Sequence, residues 1–217
     1  CQQALQIMND YNISVSSNVI KHLETKSGVL MPRDIRLSKV KNVIFAAPSQ
    51  SLHAVAKMAN NNYGFEVINL GDALQGEARE VARQQAEQAM QIQNQLSDTD
   101  NPVLLLSGGE LTVTKNGNGI GGPNAEFCLA LAISLDKQIG IFGLAGDTDG
   151  VDGAAEIAGA FVTPNTLDDA EKAGISPQES LTQNDAHSFF GTIRSQIITG
   201  PTLTNVNDFR AILIYPI

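Results

Sequence analysis

The chain has 217 residues, a formal net charge of −9 and two cysteines. That length allows one generous hydrophobic core or two small ones. The acidity excludes a nucleic-acid partner, which needs clustered Lys and Arg, and adhesion to an anionic membrane surface. Cys1 and Cys128 supply no disulfide framework, and no apolar run has transmembrane length or the form of a secretory h-region, so the expected location is cytoplasmic.

Cys1 is not an initiator Met, and Gln2 to Asn9 already reads as helix, so the chain is expected to be cut or to be a piece of a longer protein. Residues 1–40 read as one or two helices and irregular chain, with Val19, Ile20 and Leu23 making a short apolar face that Gly28 and Pro32 end. Val43 to Ala47 is an apolar run bounded by polar residues and Pro48, which predicts a buried strand. A helix follows over about 51–61, then a strand over 65–70. Ala78, Val81, Ala82, Gln85, Ala86, Ala89, Ile92 and Leu96 trace a helical stripe whose small residues allow close packing. Residues 98–102 are polar and turn-like, and make the expected boundary between domains 1–100 and 101–217.

Beyond that boundary, Val103 to Leu106 predicts a strand running into Ser107-Gly108-Gly109-Glu110, and Leu111 to Lys115 alternates as another. A glycine-rich loop over 116–123 precedes a helix from Ala125 to Leu135 that is apolar on nearly every side and belongs inside a core. Strands are expected over 139–144, 158–162, 197–199 and 209–215, and short helices over 167–173 and 177–183. The alternation gives an α/β fold of layered α/β/α type, with a mostly parallel sheet in the N-terminal portion and a mixed sheet after it.

Three places carry residues suited to chemistry. Gly119, Gly121 and Gly122, followed by Asn124 at a helix start, offer backbone amides to a phosphate or carboxylate. The stretch matches neither the Walker A nor the dinucleotide fingerprint, and a plain turn reads almost as well. Gly108 and Gly109 are a second place for close backbone approach. Asp147, Asp149 and Asp152 fall within one strand-end loop; two of them suffice for a hydrated Mg²⁺, and a third can accept a hydroxyl proton. An Asx-turn cluster and a metal-dependent hydrolase stay open for the same residues. Finally, Thr202, Thr204, Asn205, Asn207 and Asp208 crowd hydrogen-bonding groups between two apolar strands. His187 reads as a core-edge histidine within reach of the same region.

Four ordered motifs carry a family resemblance: Leu104-Leu105-Leu106-Ser107-Gly108-Gly109-Glu110, Gly121-Gly122-Pro123-Asn124-Ala125-Glu126-Phe127, Thr148-Asp149-Gly150-Val151-Asp152-Gly153, and Thr199-Gly200-Pro201-Thr202 through Asn205-Val206-Asn207-Asp208. In that order they resemble the class II glycerate kinases, which phosphorylate glycerate at its 2-hydroxyl with ATP and Mg²⁺; some members carry the older label hydroxypyruvate reductase. Residues from about 102 to 217 are similar to that family's C-terminal MOFRL domain, and residues 1–98 resemble the end of its Rossmann-like domain, including Gly76-Glu77-Ala78-Arg79.

The resemblance implies ATP and Mg²⁺ as cofactors and a small hydroxy acid as substrate. It implies Asp149 and Asp152 as catalytic groups, with Asp147 and Asp149 toward the metal. Gly108, Gly109, Gly119, Gly121, Gly122 and Asn124 fall toward the cofactor, and Glu126, Thr202, Asn205, Asn207 and Asp208 toward the substrate. The family is about twice as long, so a separate N-terminal domain or fragment bearing an active-site lysine is the expected partner; nothing in the sequence fixes an oligomeric state. Two departures stand out. Pro123 replaces the usual arginine of Gly-Gly-Arg-Asn-x-Glu, and Leu203 replaces a usually small residue. The rival expectation is a binding module of the same fold without catalysis.

Overall fold

Apolar residues at strand and helix periods build a layered α/β structure, seen in a computed structural model that describes residues 1–26, 28–31, 33–153 and 155–217. The chain divides into two units, Cys1–Ile44 and Phe45–Ile217. In the first, helices α1 (Gln2–Asp10) and α2 (Ser17–Thr25) bring Leu5, Met8, Ile13 and Ile20 to one groove. Helix α2 stops where Lys26 turns left-handed, with φ 52°. Pro32, expected to help end that segment, lies outside the described residues.

The second unit runs α3 (Pro48–Tyr63), β1 (Glu66–Asn69), α4 (Ala78–Gln93), β2 (Val103–Gly109), α5 (Pro123–Leu135), β3 (Ile141–Asp147) and β4 (Gly159–Val162). It continues with α6 (Thr166–Lys172), α7 (Pro177–Thr182), α8 (Ala186–Thr192), β5 (Gln196–Ile197) and β6 (Asp208–Ile214). The six strands form one sheet in the order β1-β2-β6-β3-β4-β5. β1 and β2 are parallel; every other pairing is antiparallel. A parallel start and a mixed continuation are what the sequence predicts. The polar turn over 98–102 leads from α4 into β2, and the division of the chain into units falls at Ile44.

The period-two alternation sends Val103 and Leu105 of β2, with Ile212 and Ile214 of β6, into the core beneath α4 and α5. Leu104, Leu106 and Ala211 face α3 on the opposite side. Helix α5 is buried along nearly its whole length, as its uniformly apolar sequence requires. Helix α4 approaches it through Ala78, Ala82, Ala86 and Ala89, all fully buried.

Two expected strands do not form. Residues 41–47 adopt no regular structure, and Val43, Ile44 and Phe45 are 64, 84 and 90% exposed. Hydrophobicity alone cannot make a strand without a neighbouring ladder, and no described strand pairs with them. Leu111 to Lys115 makes only a single bridge, Glu77 to Thr112, because the Glu77 carboxylate takes the Thr114 amide at 2.7 Å in place of a second strand. Conversely, helix α8 forms over residues where the sequence predicts no element.

The alanine stripe sets the spacing of α4 on α5. Ala86→Leu is expected to lower the urea unfolding free energy by about 1–3 kcal/mol through overpacking; unchanged stability would mean that the two helices do not meet there.

Candidate functional site

β2 and β3 both pair antiparallel with β6, so their carboxyl ends point the same way and flank the start of β6. Ligands of open α/β sheets gather at such an edge. Here it collects the start of α5, the loop over 147–153 and the loop over 199–207.

Asp152 lies at the centre of this edge and is 1% exposed. One carboxylate oxygen accepts from the Asn124 amide at 3.0 Å and from Asn124 Nδ2 at 3.2 Å; the other accepts from the Ala125 amide at 2.8 Å. The first turn of a helix leaves its amides unpaired and carries partial positive charge, so a carboxylate is a natural partner there. Gly122 makes the approach possible, since a Cβ at that position would lie 2.4 Å from Asp152 Cγ. His187 Nε2 lies 3.1 Å from the Asp152 main-chain oxygen and 3.3 Å from its carboxylate. Both are acceptors, so that nitrogen carries the hydrogen. Burial disfavours the imidazolium, but the hydrogen bond and charge of Asp152 outweigh it, and the His187 pKa is raised.

The network continues inward. Asn124 Nδ2 also donates to Asp208 at 2.7 Å, and Asp208 accepts from Arg210 Nη1 at 3.1 Å. Arg210, 1% exposed, donates to the Gly109 carbonyl at 3.0 Å and lies over the Phe127 ring. For this pair burial outweighs mutual attraction: the Asp208 carboxyl is pushed up and the Arg210 guanidinium down.

Asp147 and Asp149 sit nearer the surface. Asp147 Oδ1 accepts from the Asp149 amide at 2.9 Å. Burial first, then the charges of Asp149 and Asp208, push the Asp147 carboxyl up to about 6. Asp149 accepts from the Val151 amide at 2.8 Å and from Asn205 Nδ2 at 2.9 Å. Thr148 Oγ1 donates to the Asn207 carbonyl and accepts from the Val206 amide, while the Thr202 amide donates to the Asp149 carbonyl at 3.2 Å. The two loops are thereby knitted together, and Asp149, Val151, Pro201, Leu203, Thr204 and Asn205 line a groove of about 410 Å³. Asp147, Asp149, Asp152, Asn124, Thr202, Asn205, Asn207 and Asp208 are thus brought to one edge of the sheet.

Other expected residues have different partners. The amides of Asn116 and Gly117 donate to Asn184 Oδ1, that of Gly119 to the Gln183 carbonyl, and that of Ile120 to Asp185 Oδ1. Glycine is needed at 117 and 119 because a Cβ there would lie 2.3 Å from the Gln183 carbonyl and 2.4 Å from Asp185 Cβ. With Asn124 and Ala125 committed to Asp152, the amides of Gly121 and Gly122 keep no described partner. Gly108 and Gly109 are buried beneath residues 71–74; Gly109 has φ 106°, and a Cβ on it would lie 2.3 Å from the Leu74 amide. Glu126 does not join the cluster. It is 1% exposed and accepts from Arg79 at 2.9 and 2.7 Å and from Asn184 Nδ2 at 2.9 Å.

Sequence reading did not single out Asn184, Asp185 or Arg210. For Arg210 a signal existed: Asp208 and Arg210 share the strand phase of Ile212 and Ile214, which places a charge pair on the core face. No comparable signal marks Asn184, which is buried with left-handed backbone at φ 54° and has four side-chain hydrogen-bonding partners distant in sequence. Among the described residues no three His, Cys, Asp or Glu side chains converge as metal ligands, and no helix is long and apolar enough to cross a membrane.

Comparison with known proteins gives concordant matches. The MOFRL family profile matches residues 103–208. A protein of Agrobacterium vitis with a provisional hydroxypyruvate reductase name is 47% identical over 173 residues, covering 79% of this chain and 45% of the relative. The D-glycerate 2-kinase of Thermotoga maritima is 32% identical over 207 residues, covering 95% of this chain and 48% of the enzyme. The crystal structure of glycerate kinase from Thermotoga maritima superposes with a TM-score of 0.83 at 30% identity, over 98% of this chain and 50% of that one. The chain spans about half the length of these relatives.

The raised Asp147 carboxyl makes a pH-dependent prediction. Between about pH 4 and 6 the folded protein holds a proton that the unfolded chain has released, so stability falls as pH rises through that window. Asp147→Asn is therefore expected to be more stable than the parent above about pH 6 and equal to it below about pH 4. Urea unfolding at both pH values checks this; a gain at low pH alone would reverse the sign.

Proposed function

This chain is homologous to the glycerate kinases, with residues 103–208 belonging to the MOFRL family, and from that premise we propose that the complete protein transfers a phosphoryl group from ATP to glycerate or a related small hydroxy acid. The observation that carries this reading is the half-buried pair Asp147 and Asp149: burial first, then the charges of Asp149 and Asp208, holds the Asp147 carboxyl near 6, and Asp149 lines an open groove. Carboxylates so placed repel each other, and a hydrated divalent cation, which needs only one or two of them, would relieve the repulsion. Asp147 and Asp149 would hold such a Mg²⁺, which when bound neutralises phosphate charge.

Asp149 also lines the groove and keeps acceptor capacity beyond its bonds to Val151 and Asn205, so it is positioned to accept a substrate hydroxyl proton. Asp152, expected beside it as a catalytic group, is enclosed by α5 and His187 and acts as support. The paired amides of 116, 117, 119, 120, 124 and 125 do not fit a phosphate cradle, so no step is assigned to them.

Pro123 favours a second reading. It occupies the first turn of α5, where the resemblance places an arginine, and it can offer neither charge nor amide hydrogen. A protein lacking that clamp could bind the same ligands without turnover.

The test is ADP formation by the full-length protein with glycerate, ATP and Mg²⁺. Asp149→Ala is expected to lower kcat by about 10²–10⁴-fold, the usual contribution of general acid–base catalysis. Full activity in that variant would remove Asp149 from the chemistry. Ligand binding by the parent with no ADP formed would select the binding-module reading.

A further inference from the structure

The segment from Gln183 to His187 is where three separate parts of the site meet. Gln183, Asn184 and Asp185 hold the glycine-rich loop through the amides of 116, 117, 119 and 120. Asn184 Nδ2 holds Glu126 on α5, and His187 holds Asp152 of the acidic loop. His187 is itself fixed from both sides: its amide donates to the Ile120 carbonyl at 3.0 Å, and its carbonyl accepts from Gln196 Nε2 at 2.8 Å.

We propose that His187 is a positioning residue for the acidic loop, acting through Asp152 on the placement of Asp147 and Asp149. The α5 amides touch only the Asp152 side chain and so fix where the carboxylate lies. His187 Nε2 also grips the Asp152 main-chain oxygen, and with the Asp152 amide on the Ile157 carbonyl at 2.8 Å it fixes the path of the loop itself. A side chain can swivel about its own χ angles while its carboxylate stays docked; a loop held at both carboxylate and carbonyl cannot. Asp149 lies three residues upstream, with its second carboxylate oxygen on Asn205, so displacement of the Asp152 carbonyl is transmitted toward the groove. The ring is 2% exposed and 3.1 Å from that carbonyl, so no water substitutes for it without rearrangement.

Two substitutions separate the hydrogen bond from the volume. His187→Gln can place an amide Nε2 close to the imidazole Nε2; His187→Met fills similar space with no donor. In this chain, amide hydrogen exchange at Val151, Asp152 and Ala125 is expected to accelerate about tenfold or more in His187→Met and to stay within about threefold of the parent in His187→Gln, as loss of a charge-assisted bond predicts. In the full-length protein, which rests on the phosphoryl-transfer reading, His187→Met is expected to lower kcat with little change in KM, and His187→Gln to restore it. Equal protection in all three proteins, or equal damage in both variants, would overturn the proposal. Should the Met variant not fold, ¹⁵N imidazole shifts of the parent decide: hydrogen on Nε2 supports the proposal and a bare Nε2 refutes it. Absence of turnover in the parent would sink the kinase reading while leaving the exchange result to judge His187.

Discussion

The carboxylate of Asp152 on the first-turn amides of α5 is the contact around which the site is arranged. An apolar helix buried along nearly its whole length brings its unpaired N-terminal amides into the interior, where leaving a donor unsatisfied costs about 1–3 kcal/mol. A carboxylate from a distant loop satisfies two of them and complements the helix dipole. Several sequence choices follow from this contact. Gly122 has no room for a Cβ, and Asn124 reaches both Asp152 and Asp208 with one amide nitrogen. Asp208 in turn is balanced by Arg210 from within the sheet.

Such buried charge is weak as a source of stability, because desolvation offsets much of the attraction. What it supplies is geometry. The path from Arg210 through Asp208, Asn124 and Asp152 to His187 links β6, α5, the acidic loop and α8 by directional bonds. Apolar packing would tolerate small shifts of these parts; hydrogen bonds to buried charge would not. Function then divides by depth. Asp152 and Asp208 are enclosed and hold the frame, while Asp147 and Asp149 are half-buried and crowded, and Asp149 lines the groove.

The layered fold was legible because its strongest signals are periodic: the α4 stripe, the wholly apolar α5 and the short apolar strands. Val43 to Ala47 misled because an apolar run states only a preference for burial, whereas a strand needs a partner that the run does not encode. The acidic and glycine-rich loops stand out in the sequence, but the partners of their residues do not. Glycine marks close backbone approach without saying to what, and at 117 and 119 the approaching group is the chain at 183–185 rather than an open ligand space. Similarly, the spacing of Asp149 and Asp152 is silent on which carboxylate faces a helix end. Asn184 and His187 carry no local pattern at all, since their side-chain partners lie 35 to 70 residues away.

The measurement that tests this account most directly is a double-mutant cycle between Asp152→Asn and Asp208→Asn, followed by urea unfolding. If Asn124 joins the two carboxylates into one network, the combined effect will depart from the sum of the single effects by about 1 kcal/mol or more. Additivity within about 0.3–0.5 kcal/mol would contradict it, because independent carboxylates would then flank α5 without sharing a bridge.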